Sequence, residues 1–79
     1  MDTKIVDELV DFVSYNQKWW DELTKLYHTS SVLAFHRKAM NYVVAAAKEL
    51  KIRPTWEERE KAASIIFGDM YRKYTLYKD

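Results

Sequence analysis

Two histidines, His28 and His36, lie eight residues apart in the chain. A histidine can ligate a metal, shuttle a proton or sense pH near neutrality. A helical metal pair needs a second ligand one turn away. Neither His28 nor His36 has a histidine or carboxylate at that spacing in a known ligand pattern. His28 falls where a turn is expected, and His36 falls in the centre of an apolar stripe. His36 is therefore read as a hydrogen-bonded structural histidine, and no metal or cofactor is expected. Ser14, Ser30, Ser31 and Ser64 have no glycine elbow around them to present a nucleophile. Ser30 and Ser31 are better placed to cap a helix.

Carboxylates cluster twice, at Asp7, Glu8 and Asp11, and at Glu57, Glu58 and Glu60. A catalytic acid with a raised pKa needs burial. Both clusters fall in the first turns of expected helices, where acids offset the positive end of the helix dipole. Solvent-facing acids with that role fit better than a general acid and base. An enzyme is the class the residues support least.

Composition narrows the field further. The chain has 79 residues, one glycine (Gly68), one proline (Pro54), no cysteine and a net charge of +1. One glycine supplies neither a phosphate-cradling loop nor a dinucleotide fingerprint. Tight hairpins want Asn-Gly, Asp-Gly or Gly-X, and Gly68 stands inside a helical pattern. Without cysteine there is no disulfide framework or zinc-thiolate site, which fits a reducing, cytoplasmic compartment. Asp2 and Asp7 flank the first apolar stretch, unlike a signal peptide with its basic start. The longest apolar run, residues 42–47, falls far short of the ~20 residues of a membrane helix.

Three segments carry the 3.6-residue period that marks an amphipathic helix. The first, about 3–27, has Ile5, Leu9, Phe12, Trp19, Leu23 and Leu26 on one row and Val6, Val10, Val13, Trp20 and Tyr27 beside it. Its face is coherent throughout and predicts one helix, capped by Asp2 or Thr3. Asn16 fills an apolar slot on that face and is read as a register-setting buried asparagine. The second segment, about 31–51, is capped by Ser30 or Ser31. Val32, Phe35, Ala39, Met40, Val43, Ala46, Ala47 and Leu50 form its face. Its alanines would let a neighbouring helix approach closely. The third, about 55–77, opens on Pro54, which stops the preceding helix, and on a Thr55–Glu58 capping box. Trp56, Ala63, Ile66, Phe67, Met70, Tyr74 and Tyr77 form its face.

Very short connections force antiparallel neighbours. The expected fold is one all-α domain spanning 1–79, an antiparallel up-down-up three-helix bundle. A hairpin whose third helix packs on another copy is the alternative. In the bundle, His36 should lie level with about Glu22 and Leu23, and Asn16 with about Tyr42 and Val43.

That topology gathers Lys25, His28, Arg37, Lys38, Arg72, Lys73 and Lys78 at one pole, with Tyr27, Tyr71, Tyr74 and Tyr77 among them. Ile65 and Leu76 fall on the far side of the third helix, beside Asp69 and Arg72. Trp19 and Trp20 are adjacent, so both rings cannot enter one core. Tryptophan, tyrosine and arginine are the residues on which interfaces rely. The expected function is a small non-catalytic regulator or inhibitor, of the kind phages and mobile elements encode, docking on a larger protein. Its expected contacts are Trp19, Trp20, Ile65, Asp69, Arg72 and Leu76. The alternative is nucleic-acid binding through Lys25, Arg37, Lys38, Arg72 and Lys73. A self-assembling helical dimer is a third possibility. No motif of a known helical family is present, and the helix-turn-helix spacing at 50–64 lacks the usual turn glycine.

Overall fold

The computed structural model describes residues 4–76, Leu76 in its backbone only. The described chain is all-helical, with four α-helices rather than three: α1 (Lys4–Tyr15), α2 (Gln17–Thr29), α3 (Val32–Leu50) and α4 (Trp56–Tyr71), followed by a π-helical turn, Arg72–Leu76. The expected caps Asp2 and Thr3, and Tyr77 and Lys78, lie outside the described residues.

The extra helix arises at Asn16. Its backbone is extended (φ −84°, ψ 100°), and its side chain accepts the Trp19 N–H at 3.1 Å. Asparagine offers the backbone this alternative to a continuous helix, and is among the best N-caps for that reason. The expected single helix over 3–27 is thus two, and Asn16 is a cap rather than a buried register residue.

The two later boundaries follow their local signals. Ser31 caps α3 by accepting the Ala34 N–H at 3.1 Å. Thr55 accepts the Glu58 N–H at 3.1 Å while Glu58 accepts the Thr55 N–H at 2.7 Å, a complete capping box. Between them, α3 ends on Lys51 in the left-handed conformation (φ 59°, ψ 41°). The Ile52 N–H then reaches back to the Ala47 carbonyl at 3.0 Å, as in the Schellman closure that glycine usually makes.

The chain's one glycine stands elsewhere. Gly68 lies within α4, and a Cβ added there meets nothing within 4 Å. Exchanging the two positions should therefore stabilise the domain. Gly68→Ala and Lys51→Gly are each expected to add about 0.5–1 kcal/mol. Thermal melts of the single and double variants check this, and a lowered midpoint for either single variant contradicts it.

Short connections set the packing. Trp19 stacks on Tyr42 (4.9 Å, 10° between planes), and Tyr27 meets Phe35 edge-on (6.1 Å, 78°), so α2 and α3 run antiparallel. Trp19 rather than Asn16 is level with Tyr42, three residues from the expected register. The shift follows from α2 continuing to Thr29, which leaves only Ser30 and Ser31 to turn the chain. Phe35 against Phe67 (5.4 Å) joins α3 to α4, and the Thr24 hydroxyl, which donates to the Trp20 carbonyl at 2.8 Å, lies 3.7 Å from the Met70 sulfur between α2 and α4. α1 packs on both α3 and α4.

The core draws on all four helices. Val6, Leu9, Val10 and Val13 come from α1, Leu23 from α2, Phe35 and Val43 from α3, and Ile66 and Met70 from α4. Ala39, Ala46 and Ala47 on α3 and Ala62 and Ala63 on α4 are also buried, which lets these backbones approach closely. No polar or charged side chain is fully buried among the described residues.

Two residues placed on the core face are exposed instead: Val32 at 64% and Trp56 at 61%. Each is the first residue of its helix. The period places them on the correct side, but each lies at a helix start, where the neighbouring helices leave it uncovered. No described helix is long and apolar enough to cross a membrane.

Candidate functional site

The expected contact line on the last helix does not form an open apolar strip. Ile65 is half-buried and packed against the core. α4 is flanked by both α1 and α3, so its apolar arc is wide enough to take in Ala62 and Ile65. Asp69 is half-buried and accepts a hydrogen bond from the exposed Arg72 at 2.5 Å, one turn away. The side chain of Leu76 lies outside the described residues. Trp19 and Trp20 are likewise half-buried against the core. Trp19 is held by Tyr42 and tilts toward Phe12 (5.9 Å). Neither tryptophan presents a fully open ring.

The histidines resolve into contacts. His36 is half-buried, and its Nε2 lies 3.2 Å from Glu60 Oε2, so α3 and α4 share a polar contact at the rim of the core. Glu60 is thus not a free solvent-facing acid, and Glu58 is committed to its cap. His28 lies in the last turn of α2, exposed, with its ring edge-on to Tyr74 at 4.8 Å. Among the described residues no group of three or more histidines and carboxylates is placed to hold a metal.

Of the expected basic, tyrosine-rich pole, Tyr27, His28, Tyr71, Tyr74 and Lys73 are joined through ring contacts. α2 closes when the Ser30 N–H bonds to the Leu26 carbonyl at 2.9 Å and the Thr29 hydroxyl to the Lys25 carbonyl at 2.7 Å. α3 starts at once on the Ser31 cap. The π turn widens the backbone beyond Tyr71, a departure often found where a helix carries function. It brings Thr75 to the Tyr27 hydroxyl (2.5 Å) and Tyr74 to His28. The Lys73 ammonium lies 5.2 Å over the Tyr74 ring, and that of Lys38 lies 5.4 Å over Tyr42, each a cation–π contact.

At this pole, a groove of about 360 Å³ opens between the α2–α3 turn and the end of α4. Tyr27, Phe35 and Phe67 form its apolar wall, Ser30 and Ser31 one edge, and Val32 and Tyr71 the mouth. Val32 (64% exposed), Leu33 (60%) and Tyr71 (41%) stand uncovered here. α3 has no acid in its first turn and starts on the Ser31 cap, directly after the carbonyl end of α2. Val32 and Leu33 are the residues that sequence periodicity missed. Their one legible signal is their place directly after a cap, at the end of the molecule.

A second groove, of about 530 Å³, runs along α1 beside the end of α3. Phe12, Tyr15 and Leu50 line it, with Glu8 and Asp11 at its rim. Tyr15, 85% exposed, is its one large uncovered ring.

Fold and surface together define a small all-α domain with an apolar, cationic pole. No family model matches the chain, and neither the curated proteins nor the solved structures include a match to it.

Proposed function

We propose that this chain is a non-catalytic protein-binding module, a regulator or inhibitor that docks on a larger protein through the pole where the α2–α3 turn meets the end of α4. A cytoplasmic location goes with this reading, since a cysteine-free domain depends on no disulfide. The observation that carries it is Val32 and Tyr71, both exposed at the mouth of an aromatic-walled groove, with Leu33 exposed next to Val32 in the chain. Burying one such side chain is worth about 1.5–3 kcal/mol. Tyrosine and arginine at the edge of such a patch are frequent anchors of interfaces, and Tyr71 and Arg72 are both exposed here.

A nucleic-acid surface fits the same pole less well. Stacking needs free ring faces, whereas Tyr27, Phe67 and Tyr74 pack on one another. Exposed aliphatic side chains contribute little to phosphate or base contact and much to a protein interface.

The test uses the full chain as bait beside a Val32→Glu/Leu33→Glu variant. Both positions are exposed, so the variant should keep its helical circular dichroism. The expected result is a stoichiometric partner whose affinity falls about a hundredfold in the variant. Capture that is indifferent to the variant, or no stoichiometric partner, contradicts the reading. Light scattering over a concentration series separates self-assembly, which would give a native dimer and a monomeric variant.

A further inference from the structure

Taking this pole as a protein-binding surface, we infer that its partner presents an acidic segment bearing an aromatic or branched anchor. The groove is small, at the low end of the ~300–1,000 Å³ of ligand sites, and its volume of about 360 Å³ suits one inserted side chain rather than the length of a helix. Tyr27, Phe35 and Phe67 wall it with rings and offer that side chain an apolar seat.

Charge decides what surrounds the anchor. Over residues 22–38 and 66–76, which build the pole, lysine and arginine occur at 25, 37, 38, 72 and 73, and carboxylates only at Glu22 and Asp69. Asp69 is already committed to Arg72. Lys25, Arg37 and Lys73 are exposed and make no ion pair among the described residues. A basic partner would meet the like charge of this pole. A neutral one would leave these cations unanswered. An acidic one gains steering and register from them.

The test pans a random peptide library displayed on phage against the full chain. Recovered sequences are then synthesised and titrated by fluorescence anisotropy at low and at high salt. The expected peptides carry an aromatic or branched residue flanked by aspartate and glutamate, and bind more weakly as salt rises. Arg37→Glu with Lys73→Glu should weaken them about tenfold, and Val32→Glu, at the mouth of the groove, should weaken them about a hundredfold. Neutral or basic peptides that depend on Val32 but ignore the charge reversals overturn the acidic segment and leave the binding pole standing. Peptides indifferent to Val32, or none at all, overturn both. A single-stranded oligonucleotide bound more tightly than the peptides and released by the same reversals assigns the pole to nucleic acid instead.

Discussion

Replacing Phe35 by alanine is expected to cost the domain about 3–5 kcal/mol, the usual penalty for removing a fully buried aromatic ring. Phe35 is 1% exposed and occupies the junction of three helices, with Tyr27 of α2 and Phe67 of α4 both edge-on to it. A chain of 79 residues has about 4–12 kcal/mol of stability in all, so this single change removes much of it. Three helices fix the walls of the resulting cavity, so collapse cannot recover the loss. A urea melt should show the full penalty. The thermal midpoint should drop by about 4–8 °C for each kcal/mol. Phe35→Leu, which keeps most of the volume, should cost less than about 1.5 kcal/mol. An alanine variant within 1 kcal/mol of the native chain would mean that this junction is not close-packed. Because Phe35 also walls the groove, the variant cannot separate folding from binding. That is why the surface residues Val32 and Leu33 carry the functional test.

The parts of this fold that local chemistry specifies were legible in the sequence. Ser31, the Thr55–Glu58 box and Pro54 act through neighbours three residues away or fewer. The helices expected at 31–51 and from 55 onward accordingly begin and end within a residue of α3 and at the start of α4. The meeting of Tyr27, His28 and Tyr74 was legible too, because the ends of the first and last helices fall together once the loops are short.

What the pattern hid has two physical causes. A periodic stripe reports the angle of a residue about the helix axis and not its height along the bundle. Val32 and Trp56 lie at the correct angle and at the wrong height, in the first turns of their helices, and so become surface. Ile65 errs the other way: a second neighbour on α4 covers an angle that one neighbour would leave open. The second cause is competition by side chains. Asn16 breaks the first helix without shifting the phase of its apolar face, so the period runs on across a cap. The His36–Glu60 contact joins residues 24 apart on two helices, and no local spacing announces it.

The break at Asn16 leads to the second large effect, in Leu23→Ala. Leu23 is the one fully buried residue of α2, and its truncation should cost about 2–5 kcal/mol. The remaining attachments of α2 are half-buried or peripheral: Trp19 on Tyr42, Trp20 and Leu26 against the core, Tyr27 against Phe35 and Phe67, and the Tyr27 hydroxyl to Thr75. α1 has four buried residues of its own, Val6, Leu9, Val10 and Val13. With a cap already between the two helices, α2 can detach while α1 stays packed on α3 and α4. Native-state hydrogen exchange should therefore show protection across 20–29 falling by a factor of thirty or more, at about tenfold for each 1.4 kcal/mol. The amides of Val43, Ala46, Ala62 and Ile66 should keep most of theirs. A single continuous helix would behave otherwise, since losing its second half would fray the first, and equal loss across α1 and α2 would show that Asn16 does not divide them. Detachment also dismantles the pole, because α2 supplies Tyr27 to the groove and Lys25 and His28 to its surroundings. Binding at the pole should then weaken in step with the opening of α2, although Leu23 itself touches no partner.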